Sequence, residues 1–201
     1  MNEYLFTYIC GVKVKDQSKI EHIYDATLKL VKTKGLAGIT MNEIAASAGL
    51  ATGTLYIYFD SKEDLINALF STCKQASEQI CFQGYNEGEP FKNSFRTIWH
   101  NLLNYRIDNF KEAVFMDQCC HSPFLTETNK ELTSNILHPL FKLFEQGKQE
   151  GVIKALDNFL LITFITGSIH EVVKYAHSHG KKLTGPVIED IFEMCWNGIK
   201  A

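Results

Sequence analysis

Apolar residues recur with the period of an α-helix along nearly the whole chain, and this pattern limits the fold more than any other feature of the sequence. Strand-like alternation of apolar and polar residues is scarce. The helical segments are separated by short breaks rich in glycine and proline, such as residues 84–90 and the pair Gly185-Pro186. The sequence therefore predicts an all-α fold of about nine helices, with a kink at Pro139 inside a long one.

Two segments in the first third of the chain have the pattern of a capping box, in which a hydroxyl residue precedes an acidic residue by three positions. These segments are residues 40–43 and 61–64, and each predicts the start of a helix. Between them, Gly49 suits the left-handed residue at the end of one short helix, and residues 51–58 form a second short helix. Together with the helix before them, they predict a helix-turn-helix, whose second short helix can enter the major groove of DNA.

The charge balance neither supports nor excludes a nucleic-acid partner. The 201 residues include 20 Lys+Arg and 23 Asp+Glu, for a net charge of -3, and residues 1–65 contain seven lysines against eight acidic residues. Any contact with DNA must therefore depend on the placement of a few cations. The sequence has no Cys-x-x-Cys spacing, no secretory signal and no apolar stretch near the ~20 residues that span a membrane. We expect a cytoplasmic protein with reduced thiols and no membrane partner.

Residues 39–50, followed by residues 53–65, resemble the TetR/AcrR family of repressors. The motifs Ile-Ala-x-x-Ala-Gly, Gly-Thr-Leu-Tyr-x-Tyr-Phe and Ser-Lys-Glu-x-Leu occur together at the spacing of that family, within a match from Ile20 to Phe70. The resemblance implies a dimeric, non-enzymatic DNA-binding repressor with a small-molecule pocket in its C-terminal domain. The expected organisation is an N-terminal extension (1–17), a helix-turn-helix domain (18–65, with the motif at about 40–59) and an effector-binding and dimerisation domain (66–201).

The resemblance implies DNA contacts from both short helices and from the start of the next helix. The expected contact residues are Thr40, Asn42, Thr52, Gly53, Thr54, Tyr56, Tyr58 and Lys62. Thr40 also serves as a helix cap, and either Tyr56 or Tyr58 has core packing as its alternative role. Lys62 lies in the first turn of a helix, an unfavourable place for a cation unless a phosphate lies opposite.

Ala51 and Thr52 depart from the commonest form of the family, which has a serine and then a basic residue at these positions. Loss of the serine cap costs about 1 kcal/mol of helix stability. The small neutral side chains that remain offer few hydrogen bonds to guanine. Recognition of the operator would then rest on methyl contacts, water and DNA shape.

Aromatic residues are concentrated on four successive helices of the second half. The pattern predicts a hydrophobic core, and the resemblance implies that some of these residues line a cavity for an apolar or aromatic effector. The expected lining residues are Trp99, His100, Leu103, Tyr105, Phe115, Gln118, Phe141 and Phe164. We expect no cofactor and no metal, since Lys174 stands where a zinc-protease motif beginning at His170 would have its second histidine.

The last two predicted helices each carry an apolar stripe that predicts a homodimer. The expected interface residues are Ile165, Ile169, Val173, Ile188, Ile191 and Cys195. Two such helices from each partner would pack as a four-helix bundle about a two-fold axis. On this basis Ile169→Asp would give a monomer or a misfolded protein.

Two functions from different classes remain open at this point. The first is a transcriptional regulator whose partners are double-stranded operator DNA and an unknown small-molecule effector. The second is a helical ligand-binding protein or enzyme whose helix-turn-helix does not bind DNA. Within the first function, a family member that activates transcription, or that needs its ligand to bind DNA, is a further alternative. A salt-dependent shift of duplex DNA in a gel separates the two, because only the first neutralises phosphates.

Overall fold

The computed structural model describes residues 16–201, so most of the expected extension over 1–17 lies outside the described residues. Within this range the chain forms nine α-helices, as the sequence predicts. The helices are Gln17–Lys34 (α1), Met41–Ser47 (α2), Thr52–Tyr58 (α3), Lys62–Cys81 (α4), Phe91–Asp108 (α5), Phe110–Cys120 (α6), Glu127–Gln149 (α7), Asn158–Ser178 (α8) and Gly185–Ile199 (α9). The chain divides between Lys62 and Glu63 into two compact units, three residues before the expected domain boundary.

The N-terminal unit is a three-helix arrangement with an aliphatic core. Its fully buried side chains come from all three helices and their connections, and the aliphatic ones include Ile23, Val31, Ile39, Ile44 and Leu55. Gly49 has a φ of 70°, a conformation that glycine adopts without steric cost, and its amide bonds to the Ala46 carbonyl at the end of α2. The tight turn that this bond closes separates α2 from α3, as a helix-turn-helix requires.

The C-terminal unit has an aromatic core built by α5, α7, α8 and α9. The Phe192 ring of α9 lies 5.3 Å from the Trp99 ring and 6.0 Å from the Phe95 ring, measured between centroids. The Arg96 guanidinium covers Phe192 from outside, at 4.2 Å from the ring centroid, and is paired with Glu189. This contact between α5 and α9 therefore combines apolar burial with a charged outer layer.

A backbone bridge holds the C-terminus of the C-terminal unit, and side-chain hydrogen bonds hold the start of α7. Near the C-terminus, Ile153 and Lys200 form an isolated antiparallel bridge. At the start of α7, the Asn67 side chain of α4 donates to the Phe124 carbonyl (2.8 Å), and its Oδ1 accepts from the Asn129 amide nitrogen (2.8 Å). Pro139 lies inside α7, which continues through it, and the expected kink stays a prediction.

Candidate DNA-binding surface and ligand cavity

The outward face of α3 is set by the two residues that it buries. Leu55 and Tyr58 face the core of the N-terminal unit, and at about 100° per residue the opposite side of the helix centres on Gly53 and Ile57. Ile57 is 62% exposed and Tyr56 is 49% exposed, so the two form the bulk of the outward surface. This face carries no charge.

The structure places the expected groove-facing residues unevenly on α3. Gly53 lies at the centre of the outward face, whereas Thr52 and Thr54 lie at its two edges and are half-buried. Tyr58 is only 8% exposed, so of the two tyrosines it is the one that packs in the core. Ile57 was not among the expected contacts, although its position on the side opposite Leu55 is the signal that identifies it.

Gly53 is not required by the fold of the protomer. A Cβ atom built on Gly53 meets no heavy atom within 4 Å, and α3 begins after Ala51, which makes no side-chain capping bond. Glycine lowers helix stability relative to alanine. The local packing therefore does not need a glycine at this position. Because Gly53 lies on the outward face of α3, it leaves room for close approach of another molecule.

The start of α2 is held by a charged capping box. The Thr40 hydroxyl accepts from the Glu43 amide (3.3 Å), and the Glu43 carboxylate accepts from the Thr40 amide (2.9 Å) and from Lys34 Nζ (2.6 Å). The lysine and threonine bonds to this exposed carboxylate lower the pKa of Glu43 from 4.5 to about 2. Lys34 therefore places a cation beside Thr40, which sequence analysis missed because the pairing spans two helices. Asn42, in the same turn, is exposed.

Lys62 has a structural partner in addition to any partner on DNA. Its ammonium donates to the Ala37 carbonyl at 3.3 Å, across the connection between α1 and α2. Glu63 and Asp64 follow it in the first turn of α4, where acidic residues are favourable. The unusual position of this cation thus has one explanation within the protein, and a phosphate contact stays a prediction.

The eight residues expected to line a ligand cavity differ in how deeply they are buried. Trp99, Leu103, Tyr105 and Phe115 are buried in the packed interior. Tyr105 donates to the Cys73 carbonyl (3.3 Å), and burial raises the pKa of its phenol.

The four remaining residues of this set are less deeply buried. His100 is half-buried against Phe192, and burial lowers the pKa of its imidazole. Gln118 and Phe141 are also half-buried, and Phe164 is 46% exposed.

A cavity of about 350 Å³ lies elsewhere in the C-terminal unit, where α5 passes into α6 and where α8 ends. It is lined by none of the eight expected residues. Its lining residues are Ile107, Phe110, Val173, Ala176, His177, Gly180, Lys181, Lys182 and Leu183. The Phe110 and His177 rings are stacked in its wall, with centroids 3.8 Å apart.

A polar cluster links α5, α6 and α8 inside the same unit. The Arg106 guanidinium binds the Asp117 carboxylate through two nitrogens (2.9 and 3.2 Å), and His170 Nδ1 lies 2.6 Å from the same carboxylate. Such a network satisfies its own charges and holds three helices together. Across residues 16–201, no group of three histidine, cysteine, aspartate or glutamate side chains has the arrangement of a metal site.

Four of the six residues expected at the dimer interface are buried within the protomer. Ile165, Ile169 and Val173 belong to the protomer's own core, and so does Cys195 of α9, whereas Ile188 and Ile191 are only partly buried. Side chains already packed inside one protomer are not available to a partner. Both faces of α8 are apolar, and sequence periodicity does not say which one the protomer covers and which one a partner would cover.

The exposed face of α8 and α9 carries the apolar residues that the protomer leaves uncovered. They include Leu160, Phe164 and Tyr175 on α8, with Val187 and the 74% exposed Met194 on α9. A Cβ atom on Gly198 would lie 2.7 Å from the Phe164 ring, so this glycine allows the ring to lie against α9. Contrary to the expectation that no stretch approaches the length of a membrane span, α8, with 21 residues, is long and apolar enough to cross a membrane by length and composition, and a third of its apolar window is buried in the protein. A single helix of this kind is weak evidence for a membrane span, because core helices pass the same test.

Comparison with known proteins agrees with this geometry. Residues 23–69 match the model of the bacterial regulatory proteins of the tetR family, and residues 59–201 match that of the tetracyclin repressor-like C-terminal domain. A Bacillus subtilis protein named as a fatty acid metabolism regulator is 38% identical over 158 residues, covering 77% of this chain and 81% of its own length.

Two further similarities extend over almost the whole chain. An HTH-type transcriptional regulator of Haemophilus influenzae is 23% identical over 90% of this chain and 95% of its own. The crystal structure of a TetR family regulator from Marinobacter aquaeolei superposes with a TM-score of 0.82 at 27% identity, covering 92% of this chain and 97% of the other. With family models matched in both units, the chain belongs to the TetR family of transcriptional regulators and has the helix-turn-helix DNA-binding domain of that family.

Proposed function

We propose that the protein is a homodimeric repressor that binds operator DNA through α3 and leaves it when a small, mostly apolar ligand binds. The observation that carries the proposal is the uncharged outward face of α3, with an unobstructed Gly53 beside Tyr56 and Ile57. A surface of this kind fits a major groove and favours contact with thymine methyl groups and DNA shape over hydrogen bonds to guanine. A regulator of this kind acts on the chromosome, so we assign it to the cytoplasm.

We assign the contacts that position the protein on the DNA phosphates to residues around the outward face of α3. Thr40 and Lys62 are the proposed phosphate contacts, and Thr52, Thr54 and Asn42 are the proposed contacts near the bases. Tyr58, which is buried, keeps its alternative role in the core. Lys34, held beside Thr40 by Glu43, adds a cation near the proposed phosphate contact of Thr40. The described residues 16–62 contain five lysines and five acidic residues, so binding depends on this placement and not on net charge.

The experiment is a titration of duplex DNA from the region upstream of the gene, at several salt concentrations. Lys62→Ala should lower the slope of log affinity against log salt by about one unit, because one phosphate contact is lost. Lys142→Ala removes an exposed cation from α7 and serves as the matched control. Thermal unfolding of both variants separates loss of a phosphate contact from loss of the bond to the Ala37 carbonyl. Unchanged affinity and slope in Lys62→Ala would contradict the phosphate assignment.

Dimerisation, which the family shares, is assigned here to the exposed face of α8 and α9. Two protomers related by a two-fold axis would bury Phe164, Met194 and their neighbours, and would present two α3 helices to half-sites about 34–36 Å apart. A partner on this face also accounts for a helix that is apolar on both sides. Sedimentation that shows a monomer at tens of micromolar would contradict this assignment.

Release by a ligand rests on reciprocal coupling between the two binding events. The name of the Bacillus subtilis relative supports an apolar effector, and α4, uninterrupted from Lys62 to Cys81, is the proposed carrier of the movement. A typical coupling of about 1–3 kcal/mol changes ligand affinity about 5–150-fold when operator DNA is bound. Equal ligand affinities with and without saturating operator would contradict release, even where DNA binding itself is established.

A further inference from the structure

The cavity at the end of α8 has an apolar wall and a positively charged rim. Ile107, Val173 and Leu183 contribute aliphatic surface, and the stacked rings of Phe110 and His177 contribute a flat aromatic surface. Lys181 and Lys182 lie in the connection that follows α8. None of the described residues that line the cavity is acidic.

The two lysines at the rim have no carboxylate partner among the described residues. Lys181 Nζ lies 3.5 Å from the Tyr175 hydroxyl and 5.2 Å from the centre of its ring, contacts that leave its charge uncompensated. Lys182 has no ion pair within residues 16–201. Two adjacent cations beside an apolar cavity therefore present a positive potential to any molecule that enters it.

We infer that this cavity binds a small amphipathic anion, with the apolar body against Phe110 and Leu183 and a carboxylate at Lys181 and Lys182. The volume of about 350 Å³ is at the lower end of the range for small-molecule sites. Lys181 and Lys182 are exposed, so a neutral ligand would leave them to water and gain nothing from their charge, and a small inorganic anion would leave the apolar wall unused. The inference rests on the proposed function only in treating this ligand as an effector.

The lysines also have a purely structural role that the test must separate from ligand binding. They follow the C-terminus of α8, where cations are favourable because of the helix dipole, and the Lys181 amide bonds to the Ala176 carbonyl (2.8 Å). Removal of the charges would then lower stability without affecting a ligand. A binding measurement on folded variants distinguishes the two roles.

The probes are 2-naphthoate and 2-naphthamide, which share a shape and differ in charge, and binding is measured by calorimetry in the absence of DNA. We expect 2-naphthoate to bind at one site per chain and about fivefold more tightly than the amide, the size of effect that a partly exposed ion pair gives. In the double variant Lys181→Gln/Lys182→Gln the two probes should bind equally. Lys142→Gln, which removes a cation far along the sequence on α7, should keep the preference.

Occupancy of the cavity is tested by a variant that blocks it. Ile107 is at the rim and partly exposed, so Ile107→Trp fills the entrance without disturbing the core and should abolish binding of both probes. Ala176→Leu fills the cavity from α8 and provides a second test, with circular dichroism as the check on folding. Binding of 2-naphthoate that is absent in the wild type, equal to that of the amide, or unaffected by Ile107→Trp would overturn the inference.

The same protein samples are then titrated with operator DNA. Wild-type protein that binds operator DNA but not 2-naphthoate would refute the cavity assignment and leave the repressor proposal standing. Binding of 2-naphthoate that depends on the two lysines, in a wild-type protein that binds no DNA, would refute the repressor proposal and leave the cavity assignment standing.

Discussion

The two units hold themselves together over very different distances along the chain. In the N-terminal unit, Thr40 bonds to Glu43 three positions away, and Glu43 bonds to Lys34 nine positions away. In the C-terminal unit, the pair between Lys92 and Glu193 spans 101 positions, and the aromatic contacts of α9 reach back to α5. The structure of the N-terminal unit can therefore be predicted largely from short sequence motifs. The structure of the C-terminal unit depends on contacts between residues that no short motif contains.

The largest expected effect concerns the covered face of α8. Ile169 is fully buried in the C-terminal core, so Ile169→Ala should lower the free energy of unfolding by about 2–5 kcal/mol through lost burial and a cavity. Urea unfolding measures this change. Of the two outcomes expected for Ile169→Asp, a monomer or a misfolded protein, burial of Ile169 favours misfolding, because the charge would enter the core of the protomer. A soluble, stable Ile169→Asp monomer would restore the original interface.

The exposed face of the same helix should behave in the opposite way. Phe164→Glu places a charge on the proposed interface, and we expect the dimer dissociation constant to rise about 30-fold or more, about 2 kcal/mol, as for a central apolar contact. The free energy of unfolding of the isolated protomer should change much less than in Ile169→Ala. Ile80→Glu, at an exposed apolar position of α4, is the control and should leave sedimentation unchanged.

Gly53→Ala tests whether the outward face of α3 serves the fold or a partner. The added methyl group has open space in the protomer, and alanine favours a helix by about 1 kcal/mol over glycine, so stability should be unchanged or slightly higher. Affinity for operator DNA should fall about tenfold if a major groove approaches this point closely, because the methyl group would occupy that space. Equal DNA affinity in the two proteins would remove Gly53 from the contact surface.

The smallest expected effect concerns the capping box of α2. Thr40→Ala should cost about 1 kcal/mol of stability through loss of the cap. The pKa of Glu43 is depressed from 4.5 to about 2, so the stabilisation from its bonds is present above pH 4.5 and is lost as the pH falls toward 2. In Glu43→Gln this part of the acid dependence should be absent. Unfolding measured between pH 2 and pH 6 compares the two proteins.

The sequence predicts more of the N-terminal unit than of the C-terminal unit, and the reason is physical. The helix starts at Met41 and Lys62 and the turn at Gly49 follow from local bonding, and all three agree with the structure. The outward position of Ile57 was accessible as well, once Leu55 was recognised as core.

In the C-terminal unit the helices themselves were predicted, but the partner of each helix face was not. An apolar residue such as Phe164 has the same local signature whether it packs in a core, lines a cavity or lies on the surface. The cavity beside Leu183 forms where the ends of three helices lie close together, and the hydrophobic periodicity of the sequence does not predict which helix ends do so.

The Asn67 side chain has a consequence for how the C-terminal unit can move. Its single oxygen accepts from the Thr126 amide (3.0 Å), the Thr126 hydroxyl (3.2 Å) and the Asn129 side chain (2.8 Å), while its nitrogen donates to the Phe124 carbonyl. Rotation of this amide by half a turn would set donors against donors, so only one orientation satisfies the set. The first turn of α7 cannot slide gradually along α4, because a small displacement breaks several of these bonds together. A rearrangement at this point therefore has to break these bonds together, and Asn67 opposes gradual displacement of α7 along α4.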